Sequence, residues 1–499
     1  MSGTDAFLQT IQAGYTFKGP AITLGVGMLD GQPVPNALIT APLATINRHG
    51  LVAGATGTGK TKTLQRFAES LSSNGVSVFI MDIKGDVSGL AQPGTPNPKI
   101  DERHGHIGLA WNARAFPVEF LTLSGANGVK LRATVSEFGP VLFSKILQVN
   151  DTQGGVIALI FKYCDDHGLP LLDLNDFKKT LQYLTNEGKE EIEKEYGAIS
   201  PSSTGAIMRR VIELEEQGAD IFFGERSFDV EDLVRTDSSG HGVINILRVN
   251  DLQQRPKLFS TFMLCLLAEI YEKFPEEGDV EKPKLVFIID EAHLIFEEAS
   301  GALLDQIETI IKLIRSKGVG VYFCTQNPVD IPAPILAQLG MKIQHALRAF
   351  TANDRKAIKL AAENYPLTEF YQVEDALTTL GMGEAFVSVL NEKGIPTPLA
   401  HTLLCTPESR MDTLSDGELQ AAISRSGLTG KYNEVIDRES AYEILNKKIE
   451  AAAKEESEAE DKKKGGREKD DPSLIEQIGK NPIAKQITRD ITRELTRGL

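Results

Sequence analysis

Short apolar runs alternating with stretches of helical periodicity organise most of this 499-residue chain. Apolar runs at 51–53, 76–82, 118–123, 243–247, 285–290, 319–325, 343–347 and 385–390 read as strands. An apolar helix is expected over 257–274. Uninterrupted apolar strands separated by helices predict a mostly parallel sheet covered on both faces, an α/β fold. Ahead of this series, 22–46 has short apolar runs broken by Gly and Pro, as at Asp30-Gly31-Gln32-Pro33. It reads as a short β-rich lead-in over 1–45.

Between 101 and 239 the period changes. Helical spacing dominates at 135–149, 155–164, 173–184 and 202–217, with an acidic stretch at 187–195. A mostly helical insertion therefore splits the core into 46–100 and 240–405. After residue 405 a helical region is expected to 454. The mixed-charge run over 455–472 has almost no apolar residues and predicts a flexible linker. In 473–499, Ile483, Ile487, Ile491 and Leu495 recur every four residues, alongside Lys485, Arg489, Arg493 and Arg497. That pattern predicts an amphipathic C-terminal helix.

Composition narrows the class. Hydrophobic residues make up 41% of the chain, enough for a large core, and no apolar stretch approaches a membrane span. The N-terminus lacks the basic and apolar regions of a signal peptide. Cys164, Cys265, Cys324 and Cys405 are scattered without a C-x-x-C pair, which fits buried thiols in a reducing compartment. These features predict a cytoplasmic protein without a membrane partner. The net charge of −16 opposes general nucleic-acid coating, so any grip on DNA must come from local charge.

The chemistry begins at 54–61. Gly54, Ala55, Thr56, Gly57, Thr58, Gly59, Lys60 and Thr61 spell G-x-x-x-x-G-K-[ST], with a strand before and a helix-forming run from Lys62 after. Glycines let backbone N–H groups converge on phosphates, Lys60 reaches the β/γ oxygens, and the Thr61 hydroxyl can ligate Mg²⁺. The chain is therefore expected to bind ATP with Mg²⁺. A second element is the strand 285–290, which ends in two acids. Asp290 is the candidate Mg²⁺ partner and Glu291 the residue that polarises attacking water, which favours hydrolysis over phosphoryl transfer to a small molecule. Gln326, at the tip of the next strand, is placed to sense the γ-phosphate. Asp82, in Asp82-Ile83-Lys84-Gly85-Asp86, ends another strand that can reach the nucleotide crevice. Arg48 and Arg315 are arginine-finger candidates, with Arg348 a third, and nothing in the sequence chooses between the first two. His104-Gly105-His106 lacks a third ligand at metal-binding spacing. The segments at 123–127 and 414–418 stand in the wrong order for a transporter-ATPase signature.

Together, 54–61, 82–86, Ile289-Asp290-Glu291-Ala292-His293, and Arg315-Ser316-Lys317-Gly318 leading to Thr325-Gln326-Asn327-Pro328 resemble the HerA/FtsK superfamily of RecA-like motor ATPases, in its bacterial HerA-like branch. The likeness covers roughly 20–400 and the Arg493–Gly498 tail. The resemblance implies a RecA-like P-loop core, a homo-hexameric ring with ATP sites at subunit boundaries, and translocation on duplex DNA. It implies that Arg48 reaches a neighbour's nucleotide, and it leaves a nuclease or other protein partner open. The lead-in is too short for the full β-barrel of archaeal HerA. A protein-secretion or conjugation motor and a non-motor regulatory ATPase are the alternatives at this point.

Overall fold

One sheet of twelve strands carries the molecule in the computed structural model, which describes residues 3–123, 127–249, 256–278, 280–296, 301–434, 436 and 438–465. The strands are β1 (Ala21–Leu29), β2 (Gln32–Pro42), β3 (Gly50–Ala53), β4 (Ser77–Asp82), β5 (Val118–Thr122) and β6 (Val129–Lys130). They continue as β7 (Ile244–Arg248), β8 (Leu285–Ile289), β9 (Val319–Thr325), β10 (Met341–Gln344), β11 (Glu384–Ser388) and β12 (Ala400–Leu404). Their spatial order is β2-β1-β12-β11-β10-β3-β9-β8-β4-β7-β5-β6. From β10 to β6 every pairing is parallel, and from β10 back to β2 every pairing is antiparallel. The expected mostly parallel α/β fold is present.

Every residue of β3, β4, β8 and β9 is buried, which explains why these strands read as continuous apolar runs rather than alternating ones. Helix α1 (Gly3–Tyr15) precedes the first strand and lays Phe7, Ile11 and Tyr15 into the core. Helix α2 (Lys60–Ser73) follows the phosphate loop and packs on β1, β3 and β4. Its Phe67 ring lies 4.7 Å from that of Tyr322 on β9. Helix α3 (Pro98–Ile107) comes next in the chain.

The lead-in contains β1 and β2, which join the main sheet through β12. The stretch expected as helical insertion contains, after the end of α3, β5 and β6, the far edge of the same sheet. Helices follow as α4 (Val135–Ile146), α5 (Asp151–His167), α6 (Leu174–Thr185), α7 (Lys189–Glu195) and α8 (Pro201–Glu216). Gly139, at φ 64°, kinks α4 ahead of Pro140. The apolar helix before β8 is α9 (Pro256–Lys273).

Past β12 the chain straps α2. Gln65 Nε2 donates to Ser409 Oγ and to the Arg410 carbonyl, both at 2.7 Å. Glu69, fully buried, accepts the Glu408 and Ser409 N–H groups, both at 2.9 Å. Short helices Asp416–Ser424 and Gly427–Tyr432 complete a unit that runs to Tyr442. A second unit starts at Glu443. Its described part is the continuation of helix Ala441–Gly465, so 455–465 of the linker expected over 455–472 is helical, and 466–472 lie outside the described residues. Ala, Glu and Lys have high intrinsic helix propensity, so this stretch is helical without an apolar face. The amphipathic helix expected over 473–499 lies outside the described residues. Among those residues, no helix is long and apolar enough to cross a membrane.

Candidate nucleotide site

Parallel strands place all their C-terminal ends on one edge of the sheet, and four neighbours there, in the order β3-β9-β8-β4, carry the phosphate loop, Gln326, Asp290 with Glu291, and Asp82. The loop after β3 is 54–59. Gly54 has φ 155° and Gly59 has φ 110°. A Cβ at Gly54 would meet the His345 Cβ at 2.5 Å, and one at Gly59 would meet the Gly383 N at 3.2 Å. Only glycine fits either position. The loop is tied down by Gly54 N–H to the Thr325 carbonyl at 3.2 Å and Ala55 N–H to the Ala346 carbonyl at 2.8 Å. It opens directly into α2, so unpaired N–H groups at a helix start face the loop. Lys60 is buried and its Nζ donates to the Ala55 carbonyl at 3.2 Å, inside the loop. Lys62 turns away from the loop instead, donating to the Met411 carbonyl of the strap. Burial lowers its pKa, with nearby acids opposing.

Asp82 is employed differently from the expectation. It accepts N–H groups from Gly85 at 2.7 Å, Asp86 at 3.2 Å and Val87 at 3.4 Å, so it braces the turn after β4. Burial, reinforced by Asp86, raises it to about 7. The turn in turn brings Asp86 to the site: Thr61 Oγ1 donates to its Oδ2 at 3.1 Å, while Oδ1 is buried without a hydrogen-bond partner. Asp86 is therefore a site residue that sequence reasoning passed over, although it stands in the quoted 82–86 segment. Behind the loop, His345 Nε2 lies 3.0 Å from Thr63 Oγ1. Burial and the Lys60 charge lower its pKa to about 4, keeping the ring neutral beside that lysine. His345 had no sequence signal.

Asp290 and Glu291 follow β8. Both are buried, and burial raises the Asp290 pKa against the opposing charge of Lys84. Glu291 has φ 46°, the left-handed region, and forms an ion pair with Lys84. Gln326 follows β9 and lines a cavity of about 700 Å³ with Ala55, Thr56, Arg348, Phe350 and Asp354. The loop after it is capped by its neighbours, Asn327 onto Val329 N–H and Asp330 onto Asn327 N–H. A second, mainly apolar cavity of about 540 Å³ between α4 and α9 shares no residue with the loop.

Arg48 and Arg315 stand at the opposite edge. Arg48 ends a short helical turn before β3, and Arg315 precedes β9. Asn47 Nδ2 reaches the Arg315 carbonyl at 3.4 Å, so the two arginines are neighbours in the fold. The length of β3 separates Arg48 from the loop by roughly 15–20 Å at the rise of a strand. Neither arginine is near the phosphate loop of its own chain. His49 locks this edge: Nε2 donates to the Ile311 carbonyl at 2.8 Å and Nδ1 accepts from Val321 N–H at 3.0 Å. Burial drives its pKa from 6.5 down to about 4. A folded value below the unfolded one means stability intact above about pH 6.5 and lost as pH falls toward 4. Asp82, raised, works in the opposite direction, so the comparison must isolate His49. Between pH 7 and 4.5, denaturant unfolding should cost the native chain about 2 kcal/mol more than a His49→Gln variant. Equal losses would remove His49 from the account.

His104 is spent on structure, with Nδ1 3.1 Å from the Leu109 carbonyl and Nε2 accepting Thr406 N–H at 3.3 Å. Among the described residues, no group of three His, Cys, Asp or Glu can hold a metal by itself. The donor set nevertheless fits Mg²⁺, which is commonly held by one or two protein oxygens, phosphate oxygens and water. The Thr61 hydroxyl and the unpartnered Asp86 Oδ1 are such oxygens, with Asp290 nearby in the strand order.

Residues 28–499 match the family described as "Helicase HerA-like C-terminal". The chain belongs to this family. It is 23% identical over 380 residues to the DNA double-strand break repair helicase HerA of Sulfolobus acidocaldarius, covering 74% of this chain and 68% of that one. To the same protein of Saccharolobus solfataricus it is 23% identical over 368 residues, 72% of this chain and 65% of that one. The HerA-like chain thus spans about two-thirds of these relatives. Its fold is similar to that of the plasmid coupling protein TrwB in complex with the ATP analogue ADPNP, with a TM-score of 0.51, 15% identity, and 81% and 92% of the two chains covered. VirB4 of Thermoanaerobacter pseudethanolicus gives a TM-score of 0.50 at 17% identity, over 82% of this chain and 100% of that one. The fold is the RecA-like core of P-loop motor ATPases.

Proposed function

We propose that this HerA-like chain is a Mg²⁺-dependent ATP hydrolase that works as a cytoplasmic homo-hexameric ring translocating on duplex DNA. The observation carrying the reading is the division of labour between the two sheet edges. One edge gathers the phosphate loop, Asp86, Asp290, Glu291 and Gln326, and the other presents Arg48 and Arg315. A chain with both halves of a site on opposite edges completes that site by meeting a second copy. The family, and relatives named as repair helicases, favour DNA as the track over secreted protein.

In this reading the loop N–H groups and Lys60 bind the β/γ-phosphates, and Thr61 with Asp86 and Asp290 holds Mg²⁺. The metal, when bound, would neutralise charge on the phosphate oxygens. Glu291 takes the proton of the attacking water, and Gln326 orients that water and the γ-phosphate. Arg48, with Arg315 beside it, reaches the neighbouring subunit's nucleotide and stabilises charge as the phosphoryl group departs.

The test mixes two inactive variants. Arg48→Ala subunits keep an intact loop edge, and Glu291→Gln subunits keep an intact arginine edge. Mixed rings should recover a measurable fraction of phosphate release, because some interfaces pair the two intact edges. No recovery over any mixing ratio would sink the shared-site reading of Arg48.

A further inference from the structure

The Lys84 ammonium forms an ion pair with Glu291 Oε1. Glu291 Oε2 is buried and has no hydrogen-bond partner among the described residues, although the His293 Nδ1 lies 3.3 Å away. Glu291 is thus held by Oε1, while Oε2, beside the His293 ring, makes no hydrogen bond. A buried carboxylate is costly unless its charge is compensated, and Lys84 is its cation. The backbone adds a second constraint. Glu291 sits at φ 46°, which a residue with a side chain rarely adopts, while Ala292 N–H bonds the Cys324 carbonyl at 2.8 Å.

Lys84 is itself built into place. It sits in the turn that Asp82 braces through three backbone N–H groups. Burial alone would lower its pKa, but Glu291 and Asp290 outweigh that and hold it above its ordinary range. The chain of support runs from Asp82 through the turn to Lys84, and from Lys84 to Glu291. The turn therefore has two products, Asp86 beside Thr61 and Lys84 beside Glu291.

We propose that Lys84 is the positioning residue for hydrolysis, fixing Glu291 by Oε1 so that Oε2 faces the attacking water. Lys84 does not touch the reacting atoms. The water transfers its proton to Oε2 while its oxygen attacks the γ-phosphorus and the bond to the β-bridging oxygen breaks. This rests on the ATP-hydrolase reading above. A general base contributes about 10²–10⁴ in rate when correctly aimed, so a carboxylate free to rotate forfeits part of that factor.

The experiment compares Lys84→Met and Lys84→Arg by fluorescent-ATP binding and by single-turnover phosphate release with Mg²⁺. Lys84→Met should lower the hydrolysis rate at least about tenfold while nucleotide affinity stays within about threefold. Lys84→Arg, which keeps the cation, should restore part of the rate. In a Glu291→Gln background, Lys84→Met should have no further effect, since there is no base left to position. A merely structural lysine would weaken nucleotide binding and would act equally in both backgrounds. Wild-type rate in Lys84→Met, or an equal loss in both backgrounds, overturns the proposal. A native chain that binds nucleotide but never hydrolyses it would overturn the hydrolase reading itself, a result distinct from either.

Discussion

A Lys60→Ala variant is expected to lose nucleotide binding and turnover together, whereas Glu291→Gln should keep binding and lose turnover alone. Lys60 is 7% exposed and its ammonium points into the loop, onto the Ala55 carbonyl. Phosphates entering the loop would meet that charge with little water between, where an ion pair is far stronger than at a surface. Removing the cation leaves only loop N–H groups and a helix start, so ATP affinity should fall at least about 100-fold, some 3 kcal/mol. Glu291 follows β8, with β9 between it and β3, and in the proposed reading it acts on the attacking water. Its amide replacement keeps the shape and removes the base, with a rate loss of about 10²–10⁴. Calorimetric titration with a non-hydrolysable ATP analogue and phosphate-release kinetics separate the two effects. Turnover retained in Lys60→Ala would remove the phosphate loop from the account, and weakened binding in Glu291→Gln would make Glu291 a structural residue.

Local chemistry was legible in the sequence, and non-local chemistry was not. The phosphate loop is encoded by glycines that the backbone itself requires: Gly54 stands where a Cβ would collide with His345, and Gly59 holds φ 110° in tight contact with Gly383. Asp290, Glu291 and Gln326 were readable because a buried parallel strand is a continuous apolar run with its polar residues at the end. Several helix starts carried their own signals, such as the reciprocal caps of Thr134 with Glu137 and Asn150 with Gln153. Reading the second would have moved the α5 start from 155 to 151.

Lys84, Asp86 and His345 escaped because each acquires meaning only from a partner far along the chain. Lys84 meets Glu291 more than 200 residues away, and His345 meets Thr63 across a span of 282. The position of the two arginines is of the same kind. Each could be read as preceding a strand, but only the shared direction of β3 and β9 sets both at the edge opposite the loop. The antiparallel extension from β11 to β2 likewise joins opposite ends of the chain through β1 and β12, a pairing no local pattern announces. Helix α1 did carry a readable stripe in Phe7, Ile11 and Tyr15, spaced four apart and all buried.

DNA is the part of the proposed function that lies furthest from the site's own chemistry. The net charge of −16 means that a DNA track must be gripped by local basic groups. Contacts to phosphates weaken steeply with salt through counterion release. A motor whose stroke requires its track should hydrolyse ATP faster when the track is bound, and that gain should vanish as salt rises. The measurement is ATP turnover with and without long duplex DNA, repeated with single strands, at about 50 mM and about 200 mM salt. Stimulation by duplex at the lower salt, lost at the higher, is the predicted result. A rate indifferent to both forms of DNA at low salt would contradict the account.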